Sequence, residues 1–132
     1  MKSNLKPLIL CVDDEKIVLN ALIQELKASL AGTYDFEAAE TTDEVWDLLE
    51  HETQHRRVAF VISDWLMPGM RGDEFLTHIH RKYPEIRTIL LTGMTTPEAL
   101  RNAMVNANLY AWFRKPWDPV LLVKRISEVP LD

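Results

Sequence analysis

Short apolar runs alternate along this chain with stretches in which apolar residues recur every three or four positions. The first run, Leu8 to Val12, reads as a β-strand. From about Glu15 to Leu30, Leu19, Ile23, Leu26 and Leu30 repeat at helical spacing with Val18 and Leu22 beside them, which predicts an amphipathic helix. Gly32 marks its expected stop. Tyr34, Phe36 and Ala38 then alternate with polar residues, as in a half-exposed edge strand. Thr41 and Glu44 form a capping-box signature, and the helix behind them carries Val45, Leu48 and Leu49 on one face. His51 to Arg57 reads as a polar connection.

The run Val58 to Ile62 is apolar throughout, the pattern of a strand buried on both faces. A helix from about Gly72 to Tyr83 points Phe75, Leu76 and Ile79 inward, and Pro84 ends it. Ile86 to Leu91 is the fourth predicted strand. Thr96 and Pro97 supply an N-cap and a proline at the first helical position. That helix ends near Asn106, a residue type that tolerates the left-handed stop. Leu109 to Phe113 is the fifth strand, and Asp118-Pro119 opens a last short helix that ends before Pro130. The order is (βα)5. Alternating strands and helices imply a parallel sheet covered on both faces, and right-handed crossovers leave a doubly wound, flavodoxin-like α/β sandwich with strand order 2-1-3-4-5.

Composition adjusts this picture little. The 132 residues fit one domain. Fifteen basic against 20 acidic residues give a formal charge of −5, and the pairs Arg56-Arg57, Arg81-Lys82 and Lys124-Arg125 are too short to track a phosphate backbone, so direct nucleic-acid binding is not expected. No apolar stretch approaches the roughly 20 residues of a membrane span, and the N-terminal MKSNLKP lacks a signal peptide's apolar core. The single cysteine, Cys11, lies inside an apolar run and suits a reducing, cytoplasmic compartment.

The informative residues follow the strands. In a parallel sheet all carboxyl ends lie along one edge, and ligands bind where strand order reverses. Strand one ends in Asp13-Asp14-Glu15, strand three in Asp64, strand four in Thr92-Gly93, and strand five in Lys115-Pro116. Singly, Asp14 would serve as a helix cap, Asp64 as a turn initiator and Lys115 as a solvated charge. Together, clustered carboxylates raise one another's pKa unless a cation is present. Hard oxygen ligands in small number suit Mg²⁺ completed by water. A hydroxyl and an ammonium facing the same spot suit the oxygens of a phosphoryl group. The chain has neither a P-loop nor a G-x-G-x-x-G segment. Phosphate transferred to the protein remains, with Asp64 as the central candidate nucleophile.

The segments LILCVDDE, VISDWLMPGMRGDEFL, ILLTG and FRKPW, in this order, resemble the receiver domain of two-component response regulators over about Leu5 to Val129. The resemblance implies one receiver domain spanning residues 1–132 with no output domain in this chain. It implies that Asp64 accepts a phosphoryl group from a phosphohistidine of a histidine kinase or phosphotransfer protein. Asp14, Asp64 and the Leu66 backbone carbonyl would ligate Mg²⁺ (Mn²⁺ as the alternative), with Asp13 assisting through water. Lys115 would bind the incoming oxygens, and Thr92 and Trp112 would act as the switch pair. A Lys115-Pro116 bond in cis also belongs to the pattern. The response would reach the surface of helix four, strand five and helix five, around Met104, Leu109, Trp112 and Val123. That surface is a candidate homodimer face, and the effector or output domain would lie outside this chain. KPWD resembles the ending of receivers attached to cyclic-dinucleotide phosphodiesterase modules.

Two departures stand out. Leu66, two residues after Asp64, and Met94, two after Thr92, are both apolar where many relatives are polar, which predicts slow hydrolysis of a phosphoaspartate. Trp112 is bulkier than the usual Tyr or Phe. The alternatives to a phosphorylation switch are a phosphorylation-independent binding module of the same fold and an aspartyl-nucleophile Mg²⁺ phosphatase. The latter needs a second acid where this chain has Leu66. The histidine pairs His51/His55 and His78/His80 supply too few ligands for a metal of their own, and Trp46 and Trp117 read as packing or partner-surface residues.

Overall fold

The structure is a computed structural model that describes residues 5–93 and 96–131. Five parallel strands, β1 (Leu8–Val12), β2 (Asp35–Ala39), β3 (Val58–Asp64), β4 (Arg87–Thr92) and β5 (Ala111–Arg114), form one sheet in the order β2-β1-β3-β4-β5. The helices are α1 (Lys16–Leu30), α2 (Thr42–Glu52), α3 (Gly72–Lys82), α4 (Pro97–Asn106) and α5 (Pro119–Ser127). This is the doubly wound topology expected from the alternation of patterns. Two apolar layers follow from the period of two along each strand. Leu8, Val12, Val61 and Leu90 face the α2–α4 side, together with Phe75, Leu76 and Leu100. Ile9, Cys11, Ile62 and Ile89 face α1 and α5, together with Leu19, Leu22, Leu122 and Ile126. Burial raises the Cys11 thiol to about 12, so it is an inert core residue.

Element boundaries moved where side chains override local signals. Strand β3 runs two residues past Ile62 and is buried to its end, because Asp64 stays in register with Leu91 of β4. Helix α1 stops at Ala31 in a right-handed turn, and Gly32 takes no left-handed conformation. Tyr34, 2% exposed, is drawn into the core beside Phe60, with ring centroids 6.2 Å apart. In β2, Ala38 is exposed and Ala39 buried, so the edge strand shows only half of its expected alternation. Helix α2 extends through His51 to Glu52, into the predicted connection. The left-handed residue after α4 is Asn108 (φ 49°), two positions beyond Asn106. The caps at Thr41, Thr96 and Asp118 form as expected, accepting from the backbone N–H groups of Glu44, Ala99 and Val120.

Candidate functional site

The switch point between β1 and β3 brings the acidic strand ends together. Asp13 and Asp64 are buried, 2% and 5% exposed, while Asp14 is exposed. One oxygen from each of the three carboxylates lies within 4.8 Å of the others, the only such cluster of potential metal ligands among the described residues. Lys115 reaches across from the end of β5. Its Nζ lies 2.7 Å from Asp64 Oδ1 and 3.2 Å from Asp13 Oδ2. Neither Asp13 nor Asp14 caps α1 through its N-cap position, which Glu15 occupies without a side-chain bond. Asp13 instead accepts from the Glu15 N–H at 2.9 Å, which fixes its carboxylate toward the cluster.

The electrostatics are those of charge held against its preference. Burial pushes the Asp64 carboxyl up; the Lys115 hydrogen bond and charge pull it down and Asp13 pushes it up again, leaving it above the ordinary aspartate value. Burial favours the neutral form of Lys115, but its hydrogen bonds and Coulomb attraction to Asp64 and Asp13 prevail and hold it above the usual lysine value. Three carboxylate groups against one ammonium leave the cluster net negative, the donor set a hard divalent cation requires. The Leu66 carbonyl accepts no hydrogen bond from the described residues, while the Leu66 side chain is 67% exposed.

Thr92 closes the site from β4. Its Oγ1 is buried and has no partner among the described residues, an arrangement that costs about 1–3 kcal/mol. Trp112 is in register with Leu90, two residues before Thr92, so both residues of the expected switch pair lie on the α2–α4 side of the sheet. Trp112 is half-buried. Leu109 is buried, and Val123 packs on the opposite side with α1 and α5, so of the surface group expected around Trp112 only Met104 is exposed, at 44%. Met94 lies outside the described residues. The Lys115-Pro116 bond is cis, as the resemblance implied.

Sequence reading missed how the β3–α3 connection is held. The Gly72 N–H donates to the Trp65 carbonyl at 2.7 Å, and a Cβ at Gly72 would overlap the Asp64 carbonyl oxygen. Gly69 takes φ +86°, a left-handed turn that glycine adopts freely. A glycine eight residues after the buried aspartate was the available signal, but only the backbone approach explains it. Trp46 packs edge-on to Phe75 at 5.8 Å, and the Trp117 Nε1–H donates to Glu25 at 3.0 Å, so both are engaged in packing. The His51 and His55 rings lie 4.9 Å apart but belong to no three-ligand cluster among the described residues.

Comparison with known proteins gives the same answer as the geometry. The response regulator receiver domain family matches residues 9–127. The chemotaxis protein CheY homolog of Campylobacter jejuni is 29% identical over 122 residues, 91% of this chain and 90% of that protein. The hydrogenase transcriptional regulatory protein HoxA of Cupriavidus necator is 29% identical over 120 residues, and the chain spans 23% of its length. It likewise spans 32% of the transcriptional regulatory protein YesN of Bacillus subtilis. Among solved structures, the signal receiver domain of an HD domain-containing protein from Pseudomonas fluorescens Pf-5 is 31% identical with a TM-score of 0.82, covering 93% of each chain. The chain belongs to the response regulator receiver domain family.

Proposed function

We propose that Asp64 is the phosphoacceptor of this receiver and that Lys115, Thr92 and Trp112 convert its phosphorylation into a change of surface. The observation that carries the reading is the Asp64 carboxylate, buried at the end of the central strand, held by Lys115 and joined within 4.8 Å by two further carboxylates. A receiver is a phosphorylation switch rather than a turnover enzyme. In the transfer, an Asp64 oxygen attacks phosphorus of a phosphohistidine on a histidine kinase or phosphotransfer protein. The P–N bond breaks and the imidazole leaves with its electron pair.

The donor set fits Mg²⁺, with Asp14, Asp64 and the Leu66 carbonyl as ligands and Asp13 acting through water. When bound, the cation offsets the negative charge gathered at the transferring phosphoryl group. Lys115 is already placed to exchange a carboxylate oxygen for a phosphoryl oxygen. Thr92 supplies a buried hydroxyl without a partner among the described residues, and its movement toward the phosphoryl group would free space on the side where Trp112 sits half-buried. The α4-β5-α5 surface would then present the state to an effector, a second copy or an attached module.

No helix among the described residues is long and apolar enough to cross a membrane; the cytoplasmic setting is part of the proposal and rests on the phosphohistidine donor it requires. Transcriptional roles belong to the longer relatives and are not carried over. Leu66, 67% exposed and apolar, cannot orient an attacking water, so the phosphoaspartate should be long-lived. Leu66→Asn should shorten its lifetime without loss of stability; an unchanged lifetime would refute that role.

The test of the main reading is intrinsic tryptophan fluorescence during titration with Mg²⁺ and then beryllofluoride, wild type against Asp64→Asn. Trp65 adjoins Asp64 in sequence and should report both additions. A Mg²⁺-dependent response followed by a beryllofluoride response confined to the wild type is expected. No Mg²⁺-dependent change in the wild type would overturn the reading.

A further inference from the structure

Arg71 occupies the N-cap position of α3 without capping it. Its guanidinium is committed elsewhere. Nε donates to Asp73 Oδ1 at 3.1 Å and Nη2 to Asp73 Oδ2 at 2.9 Å, a two-pronged fork on one carboxylate. The same guanidinium carbon stands 5.6 Å from the centroid of the Trp65 ring. Trp65 is 7% exposed and Asp73 9%, whereas the Arg71 side chain is 57% exposed. Arg71 therefore lies as a cover over a buried indole, fixed by a buried carboxylate. Glu74 adds a looser contact at 3.5 Å.

These contacts join the two ends of the connection between β3 and α3. Trp65 begins it and Arg71 ends it. The Gly72 N–H bond to the Trp65 carbonyl closes the same gap through the backbone. Between them, Met67 is buried in the core and Met70 packs against it, so the stretch from Leu66 to Met70 is held by this double closure together with the Met67 anchor. One of those residues is the ligand that no side chain can orient, the Leu66 carbonyl. A backbone ligand has no rotamer of its own, so its direction is set by what holds its loop: the closure at Trp65, Arg71 and Gly72 and the buried Met67.

We propose that Arg71 is a positioning residue for the divalent-cation site, holding the β3–α3 loop so that the Leu66 carbonyl is presented beside Asp64. This rests on the Mg²⁺ reading above. The proposal makes a counter-electrostatic prediction. Arg71 is a cation on the loop that carries the proposed Leu66 ligand, so if it acted by charge alone its removal would tighten Mg²⁺ binding. If it acts by holding the loop, removal weakens binding. Partners of metal ligands commonly change affinity by about tenfold or more when lost.

The experiment is Mg²⁺ titration followed by Trp65 fluorescence on wild type, Arg71→Gln and Arg71→Lys, with urea unfolding of each in chelator. To remove the dependence on an altered indole environment, Mg²⁺ affinity is also read by the shift of the unfolding midpoint with Mg²⁺ concentration. Both variants are expected to bind Mg²⁺ about tenfold more weakly, while the midpoints in chelator stay close to wild type. Lysine should fail to rescue, because it keeps the charge and loses the fork. Tighter binding in Arg71→Gln with wild-type binding in Arg71→Lys would mean charge alone and overturn the proposal, as would unchanged affinity in both. Loss of affinity matched by an equal fall of the midpoint in chelator would assign Arg71 to stability and overturn it too. A wild type that does not bind Mg²⁺ refutes the underlying cation site instead, so the two failures are distinct.

Discussion

Lys115 is the cation that touches both buried carboxylates, so replacing it with methionine isolates what the acidic cluster costs. The aliphatic stem is kept and the charge is lost. At an effective dielectric near 20, a unit pair at 2.7 Å is worth about 6 kcal/mol and one at 3.2 Å about 5 kcal/mol before desolvation. Most of that gross attraction is offset by removing three charges from water. Breaking a buried pair from one side costs about 3–5 kcal/mol; the Lys115 side chain is 21% exposed, which lowers the figure to about 2–4 kcal/mol. Urea unfolding in chelator should show this loss. Mg²⁺ should then restore more stability to Lys115→Met than it adds to the wild type. At a hundredfold excess over Kd the wild type gains about 2.7 kcal/mol; the variant gains more at equal concentration, because no ammonium competes for Asp64 and Asp13. A loss below about 0.5 kcal/mol, within the range of ordinary surface substitutions, together with equal Mg²⁺ increments in both proteins, would refute the view that Lys115 stands in for the cation.

Asp64→Asn should abolish phosphorylation by acetyl phosphate and also stabilise the chelated protein at neutral pH. The folded state holds the Asp64 proton more tightly than the unfolded chain does, so wild-type stability falls as pH rises from the ordinary carboxylate range through the raised folded value. The advantage of the variant should shrink as pH is lowered through that window; an advantage constant with pH would count against the assignment. Thr92→Val should gain about 1 kcal/mol of stability by removing a buried hydroxyl without a partner among the described residues, and should lose the beryllofluoride-dependent fluorescence change; destabilisation would show that the hydroxyl has a resting partner. Gly72→Ala should cost about 1–3 kcal/mol in urea unfolding and weaken Mg²⁺ binding. Its Cβ would meet the Asp64 carbonyl and lie 3.0 Å from Leu90 Cδ1, so an undiminished Mg²⁺ affinity would mean that the Asp64 backbone moves freely.

The order of elements and the site's outline were legible because both rest on periodicity. The wholly apolar run Val58 to Ile62 reads as a central strand, and a central strand ending in Asp64 delivers that carboxylate to the edge where β1 delivers Asp13 and Asp14. What was not legible depends on packing and on how the turns and loops close. Tyr34 looks like an edge-strand residue and is a core residue, because Phe60 on β3 is there to receive it. Gly32 looks like a helix stop, but the turn closes without a left-handed residue. Asp73 looks like an acidic first-turn residue suited to a helix N-terminus. Its bond to Arg71, and through it to Trp65, appears only once the loop is folded. Thr92 was found from its place at the end of the fourth apolar run, yet its lack of a partner among the described residues is a fact of packing.

Local rules of stability are broken at this edge in a consistent direction. Two acids are buried together, a hydroxyl is buried without a partner among the described residues, and a helix begins against the carbonyl of the central acid. Such violations concentrate where function requires them. Here they have one remedy, a cation with a phosphoryl group. A ligand shifts a two-state equilibrium only by its difference in interaction with the two states. In the proposed switch Thr92 supplies such a difference, because its hydroxyl has no partner among the described residues and would gain one from a phosphoryl group. At about 1–3 kcal/mol that bond would shift the equilibrium roughly 5- to 150-fold, without any contact between the phosphoryl group and the Trp112 surface.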